Sequence, residues 1–319
     1  MDLANSMSTH ILKSRGDNTV SKYYGSFRRW ERFINTEGGS AIPAQPVHVA
    51  LYLTSLIDKN CSVSVIQSAI YGIKWAHSIR GMNDPTDNHY IKHLLESCKR
   101  QNSVPVVRKD IVTSEQIVSL CEKYGSSNDI LVLRDLSMIV LSFSGFLRFQ
   151  EVSNLRCKDL SFHENFMSLF LVKSKTDQYR QGSKVLINEG RTTGCPIRIL
   201  KRYISTANVD LKSGEFLFKP AYRSKGKCCL IKKNKPISYT RARETILARL
   251  KEVCGDANLG LHSMRAGGAS MAARSAVNDR CWKRHGRWRG EKSKDGYVED
   301  TIEKRLEKKK NYTIFFSST

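Results

Sequence analysis

Six side chains have the types and the order that one chemical reaction requires. They are Arg148, Lys175, His262, Arg265, Trp288 and Tyr297. An arginine guanidinium donates two parallel hydrogen bonds to phosphate oxygens and keeps its charge. A lysine or histidine with a tuned pKa can protonate a leaving oxygen, and a tyrosine hydroxyl can attack to form a covalent intermediate. The set therefore predicts phosphodiester cleavage and rejoining without a metal ion or any other cofactor.

The spacing is most informative at the C-terminal end of the set. His262 and Arg265 form an H-x-x-R motif, Trp288 follows Arg265 by 23 residues, and Tyr297 follows Trp288 by nine. Residues three apart share a helix face, so His262 and Arg265 are expected side by side. His262 can donate to a phosphate or assist proton transfer from the tyrosine. The indole of Trp288 can donate one hydrogen bond but cannot transfer a proton.

Two further segments supply the remaining members of the set. Arg148 opens a predicted helix in "GFLRFQEVSNL", where backbone N–H groups favour an anion, and Glu151 lies close enough to orient its guanidinium. An ordinary surface ion pair is the alternative for these two residues. A predicted hairpin carries Lys173, Lys175 and Lys184, any of which could reach a phosphate.

With these motifs in this order, residues 111–297 resemble the tyrosine recombinases, the family of phage integrases and of the Cre and Xer proteins. The resemblance selects Lys175 over Lys173 as the general acid, and Trp288 over the nearby His285. It also selects Tyr297 over Tyr312 as the nucleophile. Gly296 before the tyrosine and "VED" after it depart from the family pattern.

The resemblance implies a site-specific recombinase or integrase. Tyr297 would form a 3′-phosphotyrosyl intermediate, and strands would be exchanged through a Holliday junction. Four protomers would act on two DNA sites, with the C-terminal tail docking into a neighbouring protomer. The alternatives are a type IB-like topoisomerase, a domesticated recombinase that binds DNA without cutting it, and a basic membrane-surface protein. The hairpin and Trp288 also resemble recombinases of eukaryotic mobile elements, either DIRS-like elements or Cryptons.

The predicted fold is mainly α-helical and divides into two domains. Helical periodicity predicts four amphipathic helices in residues 1–105 after a frayed segment at 1–18, and the resemblance makes this a SAM-like core-binding domain. Residues 106–319 are expected to form the catalytic domain, mostly helical with a small antiparallel sheet, ending in the tail. Thr113 and Gln116 predict a cap at the start of its first helix, and residues 130–144 predict a longer apolar helix. "FMSLFLVKSK" and "SKVLI" are its predicted strands, and a polar turn joins them.

Charge and cysteine content restrict the partners. The chain carries 53 basic and 30 acidic residues, net +23, and a surface of this sign attracts polyanions. Residues 1–105 hold 12 basic and 8 acidic residues, whereas the remainder holds 41 and 22. Double-stranded DNA is the predicted partner, with no membrane and no small-molecule substrate. Nine scattered cysteines without a C-x-x-C pair predict reduced thiols in an intracellular protein and no metal site.

Basic residues outside the six-residue set are candidate DNA contacts. They are Arg28, Arg29, Lys74, Lys173, Arg287 and Arg289. Contacts of this kind increase affinity and salt sensitivity but do not select a sequence. The segment "KKNKP" is also a candidate nuclear signal. The expected location is the nucleus for a eukaryotic protein and otherwise the cytoplasm, at the nucleoid.

Overall fold

The structure is a computed structural model that describes residues 2–102, 105, 107–174, 177, 179, 181–224, 226–275 and 277–297. The chain divides into two compact units, Met1–Val107 and Arg108–Thr319. Helices dominate both units, and the sheets are small and antiparallel. The predicted fold class is therefore confirmed.

In the described part of the first unit there are five helices. They are α1 (Leu3–Lys13), α2 (Asp17–Thr36), α3 (Pro46–Asp58), α4 (Val63–Ser78) and α5 (His89–Gln101). The last four are the predicted amphipathic helices. The prediction of a frayed start was wrong for Leu3–Lys13, because this polar segment still forms one helical run. Its apolar side chains Leu3, Met7 and Ile11 are exposed. The helix was therefore not predicted, because these side chains do not form a buried face.

The core of the first unit is made by large apolar side chains from four helices. Trp30 of α2, Leu53 of α3, Ile73 of α4 and Ile91 of α5 are almost fully buried. The Trp30 indole donates to the carbonyl of Ala41 over 3.1 Å, so the buried donor is satisfied. This core holds the four predicted helices together as one unit.

The second unit contains the remaining helices. They are α6 (Ser114–Lys123), α7 (Ile130–Ser144), α8 (Phe149–Ser153), α9 (Pro196–Thr206), α10 (Tyr239–Cys254), α11 (Ser263–Arg274), α12 (Asp279–Gly286) and α13 (Glu291–Asp295). Thr113 and Gln116 form the predicted capping box at the start of α6. Helix α7 is buried along most of its length, which makes it the central helix of this unit. Helix α12 was not predicted.

Among the residues of the second unit that the structure describes, the strands form two antiparallel sheets. The strands β1 (Leu160–Phe162), β2 (Phe166–Leu171) and β3 (Ser183–Asn188) form the first sheet in this order. The predicted pair corresponds to β2 and β3, with Leu169 opposite Val185. The strands β4 (Ala221–Ser224) and β5 (Lys227–Leu230) form a separate hairpin within a segment that the sequence marked only as basic.

Helix length and polarity bear on the membrane alternative. Among the helices described, none is both long and apolar enough to cross a lipid bilayer.

Candidate active site

Arg148 lies at the start of α8, as predicted. Its backbone is extended at the N-cap position, and its N–H donates to Glu151 Oε2 over 2.8 Å. Its Nη1 donates to Glu151 Oε1, also over 2.8 Å. The Arg148 side chain keeps 13% of its surface exposed, whereas Glu151 keeps 2%. Glu151 thus orients a guanidinium that a ligand can still reach.

The Glu151 carboxylate is the centre of a cluster of three arginines. Arg287 Nη2 donates to Glu151 Oε2 over 2.8 Å, and Arg265 Nη1 lies 3.8 Å from the same oxygen. Burial raises the pKa of Glu151, but the charges of Arg287, Arg148 and Arg265 and the Arg148 N–H outweigh it. The net pKa lies below its ordinary value of 4.5. The carboxylate therefore stays ionised and offsets part of the repulsion among the cations.

Arg265 is fully buried on α11. Its Nη1 donates to the carbonyl of Phe146, and its Nη2 donates to the carbonyl of Gly286 over 2.7 Å. Burial, together with the charges of Arg148 and Arg287, lowers the pKa of Arg265 to about 10. The guanidinium remains charged at neutral pH, and two carbonyls fix its direction.

Small residues allow α11 to approach its neighbours closely. A Cβ atom on Gly267 would lie 1.8 Å from the carbonyl oxygen of Val112, and one on Gly268 would lie 2.1 Å from that of Phe143. Both distances are far below van der Waals contact, so glycine is required at both positions. This close packing sets the depth at which Arg265 enters the site.

Two residues with left-handed backbone flank the arginine cluster. Phe146 has φ 46° and Arg287 has φ 56°, a region that residues other than glycine seldom occupy. The Phe146 carbonyl accepts from both Arg265 and Arg287, the latter over 2.8 Å. Arg287 also donates to the carbonyls of Gly145 and His285. The backbone turns thus present carbonyl oxygens to the buried guanidinium groups.

Arg287 is a predicted DNA contact, and this role stays a prediction. Its side chain is only 7% exposed, and its guanidinium is engaged by Glu151 and by backbone carbonyls. In this position it braces the cluster around Arg265. This role could not be predicted from local sequence pattern, because it depends on the left-handed backbone at Arg287 itself.

Trp288 and Tyr297 lie together against Arg265. The Arg265 guanidinium carbon is 5.1 Å from the Trp288 ring centre and 4.8 Å from the Tyr297 ring centre. The two rings are 5.7 Å apart, and Trp282 packs edge-on against Trp288 at 5.4 Å. Trp288 is 5% exposed, and its buried Nε1 has no hydrogen-bond partner in the described structure. The indole is a packed aromatic that also carries an unused donor.

The two histidines near the site occupy different environments. His262 precedes α11 at its N-cap, where its side chain is exposed, in contrast to the buried Arg265. His285 is half-buried, and its Nε2 lies 2.8 Å from the carbonyl oxygen of Ser144. Burial lowers the pKa of His285, and nearby Arg287 and Arg265 lower it further, so the ring is neutral at physiological pH.

The β2–β3 hairpin and α12 border a cleft beside Trp288. The cleft measures about 660 Å³, and Asp177, Arg280, Arg284 and Arg289 are among its lining residues. Arg289 is exposed, as expected for a DNA contact, and Lys173 at the end of β2 is exposed as well. Lys175, the predicted general acid, lies outside the described residues.

The candidate contacts in the first unit are exposed. Arg28 is 3.3 Å from Glu31, Arg29 Nη2 donates to the hydroxyl of Ser26, and Lys74 is 2.7 Å from Asp84. Surface ion pairs of this kind contribute little to stability and exchange readily for phosphate. The DNA-contact role of Arg28, Arg29 and Lys74 stays a prediction. Within the described residues, no group of three His, Cys, Asp or Glu side chains is placed to hold a metal ion.

Comparison with known proteins identifies relatives of the chain. No protein-family model matches it. It is 24% identical over 292 residues to the integrase/recombinase XerD homologue of Selenomonas ruminantium, covering 91% of this chain and 83% of the relative. It is also 24% identical over 277 residues to the Cre recombinase of Escherichia phage P1, covering 79% and 75%.

A solved structure shares the fold. The XerH site-specific recombinase bound to palindromic difH substrate matches with a TM-score of 0.59 and 14% identity, covering 91% of this chain and 76% of that one. At this identity the match concerns the fold alone. The two relatives, both named as recombinases, confirm the resemblance that the motifs indicated.

Proposed function

We propose that this protein is a site-specific DNA recombinase that cleaves and rejoins DNA through Tyr297. The observation that carries the proposal is the position of the Arg265 guanidinium, which lies against the rings of both Trp288 and Tyr297 and shares Glu151 with Arg148. A phosphate bound by Arg148 and Arg265 would lie next to the tyrosine hydroxyl. The XerD and Cre relatives support the same activity.

In the proposed reaction, Tyr297 Oη attacks the phosphorus and gives its proton to His262 or to water, and a 3′-phosphotyrosyl bond forms. The bond from phosphorus to the 5′ oxygen breaks, and Lys175 protonates that oxygen to release a 5′-hydroxyl. The 5′-hydroxyl of another strand then reverses the step, so the bond energy is retained. Arg148 and Arg265 balance the charge on the non-bridging oxygens, and His262 and Trp288 donate further hydrogen bonds.

Assembly and partners follow from the same proposal. The DNA complexes among the solved structures support duplex DNA as the partner. Four protomers on two sites, joined through the tail, would carry out strand exchange. The tail, residues 298–319, lies outside the described residues. The core-binding role of the first unit, the nuclear location and the origin in a eukaryotic mobile element also stay predictions, and the two relatives come from a bacterium and a phage.

A suicide-substrate assay tests the proposal. Nicked duplexes drawn from DNA that flanks the gene are incubated with wild-type protein, Tyr297→Phe and Tyr222→Phe, and the products are separated on a denaturing gel. Tyr222 is an exposed tyrosine on β4, so its replacement is the matched control. We expect a slowly migrating covalent adduct with wild type and Tyr222→Phe only.

Each of the other outcomes would indicate a different function or a different nucleophile. DNA binding without any adduct would indicate a binding protein. Relaxation of supercoiled DNA by a monomer, without a preferred site, would indicate a topoisomerase. An adduct that persists in Tyr297→Phe would show that another residue is the nucleophile.

A further inference from the structure

The backbone of Tyr297 is attached to a very short helix. Helix α13 has five residues, and Tyr297 follows it after Gly296. The Tyr297 N–H donates to the carbonyl of Lys294 over 3.0 Å, and the Gly296 N–H donates to that of Lys292 over 3.2 Å. On the side of α11, the Ser270 hydroxyl donates to the Tyr297 carbonyl over 3.2 Å. The placement of the tyrosine therefore depends on this contact and on what holds α13 in position.

Lys294 fastens α13 to α12. Its side chain is only 8% exposed, and its Nζ lies 2.5 Å from Asp279 Oδ1 at the start of α12. The same Nζ lies 2.5 Å from Glu291 Oε2 one turn earlier on α13. An ammonium group that loses contact with water needs ionic partners of this kind, since burial of an unpaired charge is costly. Lys294 is thus held in a fixed direction by two carboxylates.

A second ion pair joins the same two helices. Lys283 Nζ of α12 lies 2.5 Å from Glu291 Oε1, so Glu291 bridges two lysines. Hydrogen bonds from Lys283 and Lys294 lower the pKa of Glu291 to about 2, which keeps it ionised. We call the four residues Asp279, Lys283, Glu291 and Lys294 the ionic latch.

The latch is continuous with the aromatic cluster of the site. Lys294 Nζ lies 5.1 Å from the ring centre of Trp282. Trp282 packs edge-on against Trp288, which in turn lies against Tyr297. A shift of α13 away from α12 would consequently move the tyrosine away from both Trp288 and Arg265.

We propose that Lys294 is a positioning residue, which docks α13 on α12 and so holds Tyr297 against the Arg265 guanidinium. The proposal rests on the proposed function, in which Tyr297 is the nucleophile. Lys294 touches neither the phosphate nor the leaving group, and it acts only through the tyrosine. A misplaced nucleophile lowers the rate of the chemical step without changing DNA affinity, because the phosphate contacts lie elsewhere.

The chain offers a matched control for this proposal. Lys292 lies two residues away on the same helix, carries the same charge and is exposed. If Lys294 contributed only positive charge that attracts DNA, then Lys292→Met and Lys294→Met would weaken binding equally. If it acts through the latch, only Lys294→Met slows cleavage.

The first experiment measures single-turnover cleavage of a nicked duplex that the wild type cleaves, with protein in saturating excess. We expect Lys294→Met to lower the cleavage rate by about tenfold or more, with the Kd for the duplex unchanged. Lys292→Met should cleave at the wild-type rate. Asp279→Asn combined with Lys294→Met should be no slower than Lys294→Met alone, since both replacements break one ion pair. Wild-type cleavage by Lys294→Met would overturn the proposal.

The second experiment needs no activity and no DNA. Hydrogen–deuterium exchange of the free full-length protein, followed by mass spectrometry, reports the opening of α13. We expect faster exchange over 291–297 in Lys294→Met than in Lys292→Met, with unchanged exchange in α7. Equal exchange in the two variants would overturn the latch, whether or not the protein cleaves DNA. If exchange over 291–297 is faster in Lys294→Met than in Lys292→Met but the wild-type protein cleaves no duplex, only the proposed function would be contradicted.

Discussion

The arginine cluster and helix α13 lie on two sides of the same site, but different forces hold them. Arg265 is fully buried, fixed by two carbonyl oxygens and surrounded by close backbone packing. Tyr297 is half-buried, and its helix is held by ion pairs whose carboxylates are exposed, 62% for Asp279 and 55% for Glu291. The proposed phosphate cradle, Arg148 and Arg265, is therefore positioned by the core of the second unit. The proposed nucleophile is positioned by contacts near the surface of that unit.

This difference separates two kinds of variant. Changes in the cradle are expected to reduce both stability and activity, because the same buried groups serve both. Changes in the latch are expected to reduce activity while leaving global stability nearly unchanged. When Lys294 is replaced by methionine, the exposed carboxylates of Asp279 and Glu291 can be hydrated instead, and such partly exposed ion pairs contribute little to folding.

Glu151→Gln is expected to have the largest effect on stability. It leaves three guanidinium groups without their shared carboxylate, and the loss of one partner from a buried ion pair costs about 3–5 kcal/mol. Chemical denaturation at pH 7 measures the change. If the Glu151→Gln variant unfolds at the same denaturant concentration as the wild type, the carboxylate does not stabilise the arginine cluster.

The same variant gives a pH dependence. The pKa of Glu151 is lowered by folding, so its contribution to stability is present above its unfolded pKa of 4.5 and is lost as the pH falls through the lower folded value. The gap in stability between wild type and Glu151→Gln should therefore narrow below pH 4.5. If the difference in unfolding free energy between wild type and Glu151→Gln became larger in acid, the pKa of Glu151 would not be lowered by folding.

Arg265→Lys is expected to remove most of the cleavage activity. A lysine cannot donate to the carbonyls of Phe146 and Gly286 while binding phosphate, and loss of one such donor costs about 10²–10³-fold in rate. Single-turnover cleavage measures the effect. Arg274→Lys, an exposed position at the end of α11, is the control and should cleave normally.

Gly268→Ala tests the packing that sets the depth of Arg265. The added methyl group would overlap the carbonyl of Phe143, and overpacking of this kind costs about 1–3 kcal/mol. Thermal unfolding should show a lower Tm, and cleavage should slow in parallel. A Cβ atom at Gly214 would have no atom within 4 Å, so Gly214→Ala should leave the Tm and the cleavage rate unchanged.

Trp288→Phe is expected to have the smallest effect of this series. It keeps an aromatic ring beside Tyr297 but removes the indole donor, and a tenfold loss of cleavage rate corresponds to about 1.4 kcal/mol. Trp288→His restores an N–H donor and should cleave faster than Trp288→Phe. If the two variants were equally slow, the contribution of Trp288 to the cleavage rate would come from its packing and not from its hydrogen bond.

The sequence predicted those features that depend on local pattern. The period of apolar residues located α2 to α5 and α7, and Thr113 with Gln116 located the start of α6. Residue types and their order suggested the members of the site. These signals can be read from one sequence because each depends on neighbours that are close along the chain.

Other features depend on contacts between distant segments and were missed. The buried role of Arg287 requires a left-handed backbone at that residue and carbonyls from 145 and 146. Lys294 has the same appearance in the sequence as Lys292, and the two are distinguished by burial and by the contacts of Lys294 with Asp279, Glu291 and Trp282. Helix α1 was missed for the opposite reason, because no burial accompanies its apolar residues.

The most direct test of the account is to identify the residue that carries the DNA in a trapped adduct. After nuclease treatment and trypsin digestion, mass spectrometry would show which tyrosine bears the remaining phosphate. The account predicts a modified peptide at 295–304, "DGYVEDTIEK", which contains Tyr297 as its one tyrosine. A phosphate on any other peptide, with 295–304 unmodified, would contradict it.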